Sequence, residues 1–558
     1  MEYSEDASSL ASTSATSYGL LEERPDGNGN GKRPKGACLR DASSSDLPGS
    51  VSDLMSSSSD GNMCGYSIEE ALNAAGLGKF QWLLMLYVGM AWFGDAMEMM
   101  LLSFLSPEVS CQWGLSGSQE SWISSVVFIG MCFGAYTFGS LSDVMGRKVG
   151  IFATAAFTSV MGLASAAAPN YETLLLFRGL VGVGLGGVPV AFAMLAEVTP
   201  AKHRGTFLII MEIFWSLGAV FQAGVAWWIL PRWGWRALLA VSALPLIFLL
   251  FFYPIIPESP RFLASSGQRQ AAIEVLEKIA KTNGTQLPSG TLTTVAHKSD
   301  KFSGLNEDWL AEIIGQFPRL FSPSLWSTTM VVWSLWFASA LGYYGVILMT
   351  TELHAGTSGA CTSGIFTFAD GDYSSIFIDS LGELPVFAVA LLVDVVGRKW
   401  LLVGCFLASM VSLSPLLFTL EYSTLSLFLG RLFVESAFNV TYVYTPEAYP
   451  TYVRTYALGV ANMFGRIGGV MAPFIAQDVL RKTTVVGTPP TVAVGIFMGM
   501  SLYGAFSAGM IPRETAGKAL MEDDEDEDES KAEGRDKGVK QRLLAAPVDI
   551  EGEGFEGP

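Results

Sequence analysis

Two carboxylates three residues apart, Asp95 and Glu98, stand inside an apolar run that begins near Gln81. A separation of three brings both onto one helix face. An ionisable side chain in such a run is costly unless it meets a cavity or a partner. At 1.5 Å per residue, Glu98 lies on the order of 10 Å below one boundary of its run, and Arg178, entering from the same side, reaches roughly 9 Å. The depths match, which pairs Arg178 with this acidic couple. Two neighbouring carboxylates suit a site that binds a proton; a static ion pair between two helices is the plainer alternative.

Arg466 carries a different chemistry. It sits about 15 Å into its own apolar run, beside Gly465, Gly468 and Gly469, small residues that leave room around it. A guanidinium grips a carboxylate through two parallel hydrogen bonds, so this position points to an anionic solute. Pairing with Glu212, about 9 Å in from the same side, is the structural alternative. Tyr343 and Tyr344 offer a wall for a flat solute or, alternatively, interfacial anchors, and Asn439 and Asn462 join them as solute-binding candidates. Arg431 also needs a carboxylate; Glu435 is nearest along the helix, with Asp379 and Glu383 as alternatives.

The elements that must position these residues are apolar helices. Of 558 residues 50% are apolar and only 15% charged, with mean hydropathy +0.39, against about a quarter charged in soluble proteins. About 20 apolar residues cross a roughly 30 Å hydrocarbon layer. Twelve runs qualify, beginning near Gln81, Ser121, Val149, Glu172, Thr206, Ala237, Trp326, Ser375, Lys399, Thr424, Tyr456 and Thr491. Basic residues in short loops mark the cytoplasmic side. Arg147, Lys148, Lys202, Arg204, Arg398, Lys399 and Arg454 share one side, while Arg232, Arg236, Arg481 and Lys482 are exceptions. The sequon at Asn283 falls on the cytoplasmic side, where it should stay unmodified. No signal peptide is visible, so the first span is expected to target the chain.

The expected organisation is an all-α membrane protein of twelve helices: a cytoplasmic, disordered tail over 1–65, a six-helix half over 66–256, a cytoplasmic segment over 257–325, a second half over 326–512 and an acidic tail over 513–558. Much of the net charge of −18 comes from the tails, notably the unbroken run Glu522 to Glu529, whose mutual repulsion keeps it solvated. Cys111 and Cys361 fall in outward loops, one per half, and their pairing is left open.

The halves repeat. Gly139-Ser-Leu-Ser-Asp143-Val-Met-Gly146-Arg147-Lys148 recurs as Leu392-Val-Asp394-Val-Val-Gly397-Arg398-Lys399, Asp394 standing 251 residues after Asp143. Glu197-Val-Thr-Pro200-Ala-Lys-His-Arg204 recurs as Glu447-Ala-Tyr-Pro450-Thr-Tyr-Val-Arg454, and Arg178 recurs as Arg431. Charges in these short turns can tie helix ends together and let go as the halves rock. Parallel six-helix halves of this kind resemble the major facilitator superfamily. Glu98-Met-Met-Leu-Leu-Ser, Ser124-Ser-Val-Val-Phe-Ile-Gly130-Met and Pro257-Glu-Ser-Pro-Arg261 resemble its synaptic-vesicle-protein-related branch. Thr285-Gln-Leu-Pro288 and Gly459-Val-Ala-Asn462-Met-Phe-Gly465-Arg466-Ile-Gly-Gly469 resemble the plant and algal organic cation/carnitine transporter-like proteins, a group similar to bacterial niacin permeases. The resemblance covers roughly residues 66 to 512 and implies alternating access. It also implies that arginine at position 466 goes with an anionic solute, where carriers of cations have an acid.

The resulting expectation is a proton-coupled symporter of a small organic anion, nicotinate or a related pyridine carboxylate. Asp95, Glu98 and Arg178 would couple the proton, and the paired loops would gate. A carrier of carnitine-like cations or of sugars is the alternative, and a partner-binding protein that moves no solute is the second. No Walker motif or nucleophile triad appears, so an enzyme is not expected. No cofactor, metal or nucleic acid is implied. A monomer in the plasma membrane, or else in the vacuolar or another endomembrane, with both termini cytoplasmic, completes the expectation.

Overall fold

A computed structural model describes residues 65–293, 317–358, 360–362, 365–367, 370–390, 392–483 and 489–516. The N-terminal tail up to residue 64, the acidic run at 522–529 and the side chain of Asp394 lie outside the described residues. The spans are labelled α1 to α12 here, and shorter helices carry no label.

The first half contains α1 (Lys79–Trp113), α2 (Gly117–Met145), α3 (Arg147–Ala166) and α4 (Tyr171–Leu185, resumed as Pro189–Val198). One long helical stretch, Ala201–Ser242, bends at Gly234, whose φ of 71° is cheap only for glycine. That break divides α5 (201–233) from α6 (235–251). The second half contains α7 (Trp326–Ser358), α8 (Asp370–Leu381, resumed as Val386–Ala390 and Val393–Val396) and α9 (Arg398–Leu413). It is completed by α10 (Ser423–Glu447), α11 (Thr451–Pro473, continued to Thr483) and α12 (Thr491–Gly509).

Nine helices among the described residues are long and apolar enough to cross a membrane, and one of these, His203–Phe251, is α5 and α6 together. The two spans this leaves out are α8, which is broken, and α10, which carries Arg431 and Glu435. Local sequence sets the ends. Ser116 accepts a hydrogen bond from Gln119 N while Gln119 Oε1 accepts one from Ser116 N, a capping box that starts α2. Within the half, α2 and α4 touch backbone to backbone: a Cβ at Gly134 or Gly182 would collide with the carbonyls of Val183 or Val127. Small residues permit such contact where lipid supplies no hydrophobic drive.

The halves meet along two seams, α2 with α11 and α5 with α8, related by the repeat. The segment after α6 forms helices Pro260–Ser265 and Arg269–Asn283, the latter burying Ala272, Leu276 and Ile279. Its end is tied to the start of α1 by Asn283, which accepts from Phe80 N and donates to the carbonyls of Ala75 and Gly76. The sequon asparagine is therefore a structural joint.

Candidate functional site

At the end of the molecule bearing the repeated loops, each half closes on itself. Gly146 and Gly397 turn with φ of 102° and 88° to start α3 and α9. Arg147 Nε donates to Glu197 Oε1 at 3.0 Å, with Asp143 also bound to the guanidinium. Arg398 repeats the glutamate contact, its Nε 2.9 Å from Glu447 Oε2. Two further carboxylates cap these helices: Glu258 accepts from Arg147 N at 2.9 Å, and Glu514 from Arg398 N and Lys399 N at 2.9 Å each. Ser259 then donates to Glu197, and Thr515 to Glu447.

Glu514 and Thr515 were missing from the sequence reading, and the described structure runs on through Ala516, beyond the expected boundary at 512. The signal was the recurrence of Glu258-Ser259 as Glu514-Thr515. Burial pushes the Glu514 carboxyl up, but backbone N–H groups of Lys399, Arg398, Ala516 and Thr515 outweigh it and hold the group below its usual range. Arg204 and Arg454 do a different task. Arg204 Nε donates to Ala196 O at 2.9 Å and Arg454 Nε to Tyr449 O at 3.3 Å, clamping the turn that precedes α5 or α11.

At the centre, Arg178 Nη1 lies 2.9 Å from Glu98 Oε2, and both side chains are sealed from solvent. Asp95, also buried, leaves Oδ1 without a hydrogen-bond partner among the described residues and lies within the electrostatic reach of Arg466. Arg466 reaches Met131 Sδ at 3.3 Å across the α2–α11 seam and sits against Tyr344 and Tyr442. Glu212 instead accepts from Trp92 Nε1 at 3.1 Å. The glycines near Arg466 do not leave space. A Cβ at Gly468 would strike Phe337 O, and one at Gly469 the ring of Phe128, so they serve close packing against α7 and α2.

Tyr343 and Tyr344 are buried in the bundle, away from any interfacial belt. The Tyr343 hydroxyl accepts from Trp215 Nε1 of the other half at 2.6 Å. Ring contacts continue through this core, with Trp92–Trp215 centroids 5.8 Å apart, Phe128–Tyr344 4.6 Å and Phe438–Tyr442 5.3 Å. Asn439 and Asn462 are half-buried on α10 and α11. Arg431 takes Glu383 of α8 as its ion-pair partner, while Glu435 turns to Ser216 of α5 at 3.5 Å.

At the opposite end the halves are bolted together. Arg481 of α11 binds Glu120 of α2, Ser110 Oγ of α1 at 3.1 Å and Glu352 of α7 at 3.4 Å. Ser121 and Ser125 donate to the carbonyls of Pro473 and Val470. Cys111 and Cys361 form a disulfide with Cα atoms 5.7 Å apart. The exceptional charge of Arg481 thus belongs to a closure between halves.

Paired six-span halves around a core of buried charges and aromatic rings have the architecture of the major facilitator fold. The chain belongs to the family described as sugar (and other) transporter, which it matches over residues 57–526. It is 39% identical to the organic cation/carnitine transporter 7 of Arabidopsis thaliana over 82% of this chain and 96% of that one. It is 37% identical to the synaptic vesicle 2-related protein of Xenopus laevis, over 82% of each. The xylose transporter XylE from E. coli, in a partially occluded inward open conformation, shares the fold with a TM-score of 0.61 at 18% identity, over 79% of this chain and 100% of that chain. Membership of this family makes the chain a transporter, not an enzyme.

Proposed function

We propose that the chain carries a small carboxylate-bearing organic solute, nicotinate or a related pyridine carboxylate, in symport with a proton. The observation that supports this most is the position of Arg466, on the seam between halves, facing Asp95 and walled by Tyr344 and Tyr442. A guanidinium there can hold a carboxylate bidentately, and Tyr343, Tyr344, Phe438 and Trp215 can stack a flat ring. Asn439 and Asn462 would supply hydrogen bonds to its edge.

Coupling follows from competition. An arriving solute carboxylate takes the guanidinium that Asp95 shares, and a buried acid left without a counter-charge takes up a proton. Solute and proton then travel together as the chamber switches sides, with Glu98 and Arg178 holding α1 against α4. The paired loop clusters, Asp143, Gly146, Arg147, Glu197 and Arg204 with Asp394, Gly397, Arg398, Glu447 and Arg454, act as latches that release one face at a time.

The loop end faces the cytoplasm in this reading, with both tails there. A disulfide at the opposite end suits an oxidising exterior or lumen, and the plasma membrane is the assigned location. The segments 66–256 and 326–512 are taken as the moving halves of a monomer.

A second reading has one observation in its favour: the aromatic walls together with Asp95 and Glu212 could hold a quaternary ammonium by cation–π contact, so a carnitine-like zwitterion would also use Arg466. Binding of labelled nicotinate to the purified protein, competed by carnitine, tests the choice. Nicotinate displaced only by other pyridine carboxylates supports the first reading; no nicotinate binding rejects it.

A further inference from the structure

The second half contains a buried acidic chain that the solute chamber does not use. Span α8 stops at Leu381 and resumes at Val386. Pro385 lacks an N–H to continue the helix, and Gly382 packs so tightly that a Cβ would strike Phe428 O. Broken helices inside a bilayer are tolerated where backbone is buried in protein, and in transporters they mark ion sites. The break carries Glu383.

Around it one guanidinium faces three carboxylates. Arg431 is fully buried and binds Glu383, fully buried as well, and Ser380 Oγ at 3.3 Å. Asp379, one turn before Glu383, is also within reach of Arg431. Glu435, one turn along α10, faces Glu383, Arg431 and Glu212. Asp379 Oδ1 and Glu435 Oε2 have no hydrogen-bond partner among the described residues. Three carboxylates against one cation leave excess negative charge in a dry interior, which must be neutralised.

A path leads outward from this cluster. Asp379 Oδ2 lies 3.4 Å from His354 Nε2, and His354 Nδ1 3.9 Å from Asp372 Oδ1, toward the disulfide end. Inward, Tyr343 lies against Glu383, Glu435 accepts from Ser216 of α5, and Arg431 touches Met100 Sδ of α1 at 3.6 Å. Imidazole with a nitrogen toward each carboxylate is the arrangement that passes protons. Among the described residues no group of side chains is suited to hold a metal ion. The first half has no equivalent: at the 251-residue offset, Asp379 and Glu383 fall on Phe128 and Cys132.

We propose that Asp379, Glu383 and Glu435 form a second proton-binding site, loaded from the disulfide end through Asp372 and His354 and distinct from Asp95. The proposal deepens the proton-coupled reading, but its test uses no solute, so a wrong solute assignment leaves it standing.

The test is infrared difference titration of the full-length protein in lipid nanodiscs, reading the carbonyl band of protonated carboxylic acids. Asp379→Asn and Glu435→Gln, which preserve the Arg431–Glu383 pair and hence the fold even if Glu383→Gln does not assemble, should each remove part of the band. Asp95→Asn should remove a separate part. On a rapid pH jump in proteoliposomes, His354→Gln should slow proton loading at least tenfold while leaving the final band unchanged. A band unaltered in the Asp379→Asn, Glu435→Gln double variant overturns the proposal, as does displacement of the band by sodium at constant pH.

Discussion

Trp215 of the first half donates its indole N–H to the Tyr343 hydroxyl of the second, 2.6 Å away, at the centre of the molecule. A bond between the halves favours the arrangement in which it forms, so it weights the conformational equilibrium. Tyr343→Phe removes the acceptor and costs about 1 kcal/mol. A shift of roughly fivefold toward the alternative state is expected. Accessibility of a cysteine placed beside Arg481 to a membrane-impermeant thiol reagent measures it.

The Cys111–Cys361 disulfide joins the end of α1 to the hairpin after α7, closing a loop of 250 residues across both halves. Reduction, or Cys111→Ser, should lower stability by about 2–4 kcal/mol and further increase labelling at the disulfide end. The check is a thermal melt with and without reductant; equal melting temperatures would show that the link carries no load.

The carboxyl of Glu514 is held below its ordinary value by backbone N–H groups at the start of α9 and of Thr515 and Ala516, against the upward push of burial. A depressed folded value means its contribution is present above the unfolded value of about 4.5 and is lost as pH falls through the folded one. At neutral pH Glu514→Gln should melt at a lower temperature than wild type, and the gap should close in strong acid. A gap constant with pH would assign the residue a purely steric role. At neutral pH Glu258→Gln should also melt below wild type, because Glu258 accepts from the backbone at the start of α3 in the same way.

Much of this was written locally in the chain. Hydrophobic length gives most spans, and the recurrence of Asp143 to Arg147 at Asp394 to Arg398 gives the two halves. Arg178 with Glu98 followed from depth alone. The Arg431–Glu383 pair stayed one alternative among three, because Glu435 lies one turn along the same helix, Asp379 and Glu383 lie one turn apart on α8, and only packing selects among them. The break in α8 hides in a run that composition reads as helix. The bolts of Arg481 to Glu120 and Ser125 to Val470 join positions hundreds of residues apart, and no periodicity announces such contacts. Glu514 lies just past the last apolar span, where hydropathy marks nothing.

Asp95→Asn keeps the shape of the side chain but cannot bind or release a proton. Uptake of labelled nicotinate by this variant should lose its response to an imposed proton gradient, while exchange of internal for external solute continues. Gradient-driven uptake that survives in Asp95→Asn would move coupling elsewhere.

The central claim is that Arg466 holds the solute's carboxylate. Loss of a charged hydrogen-bond partner costs about 1.5–3 kcal/mol, so Arg466→Ala should reduce nicotinate uptake at least about tenfold. Arg466→Lys, which keeps the charge but not the planar fork, should fall between. The measurement is initial-rate uptake of labelled nicotinate into proteoliposomes under an inward proton gradient, for wild type and both variants. Uptake by wild type that collapses in Arg466→Ala is the predicted result, and undiminished uptake in that variant would contradict the account.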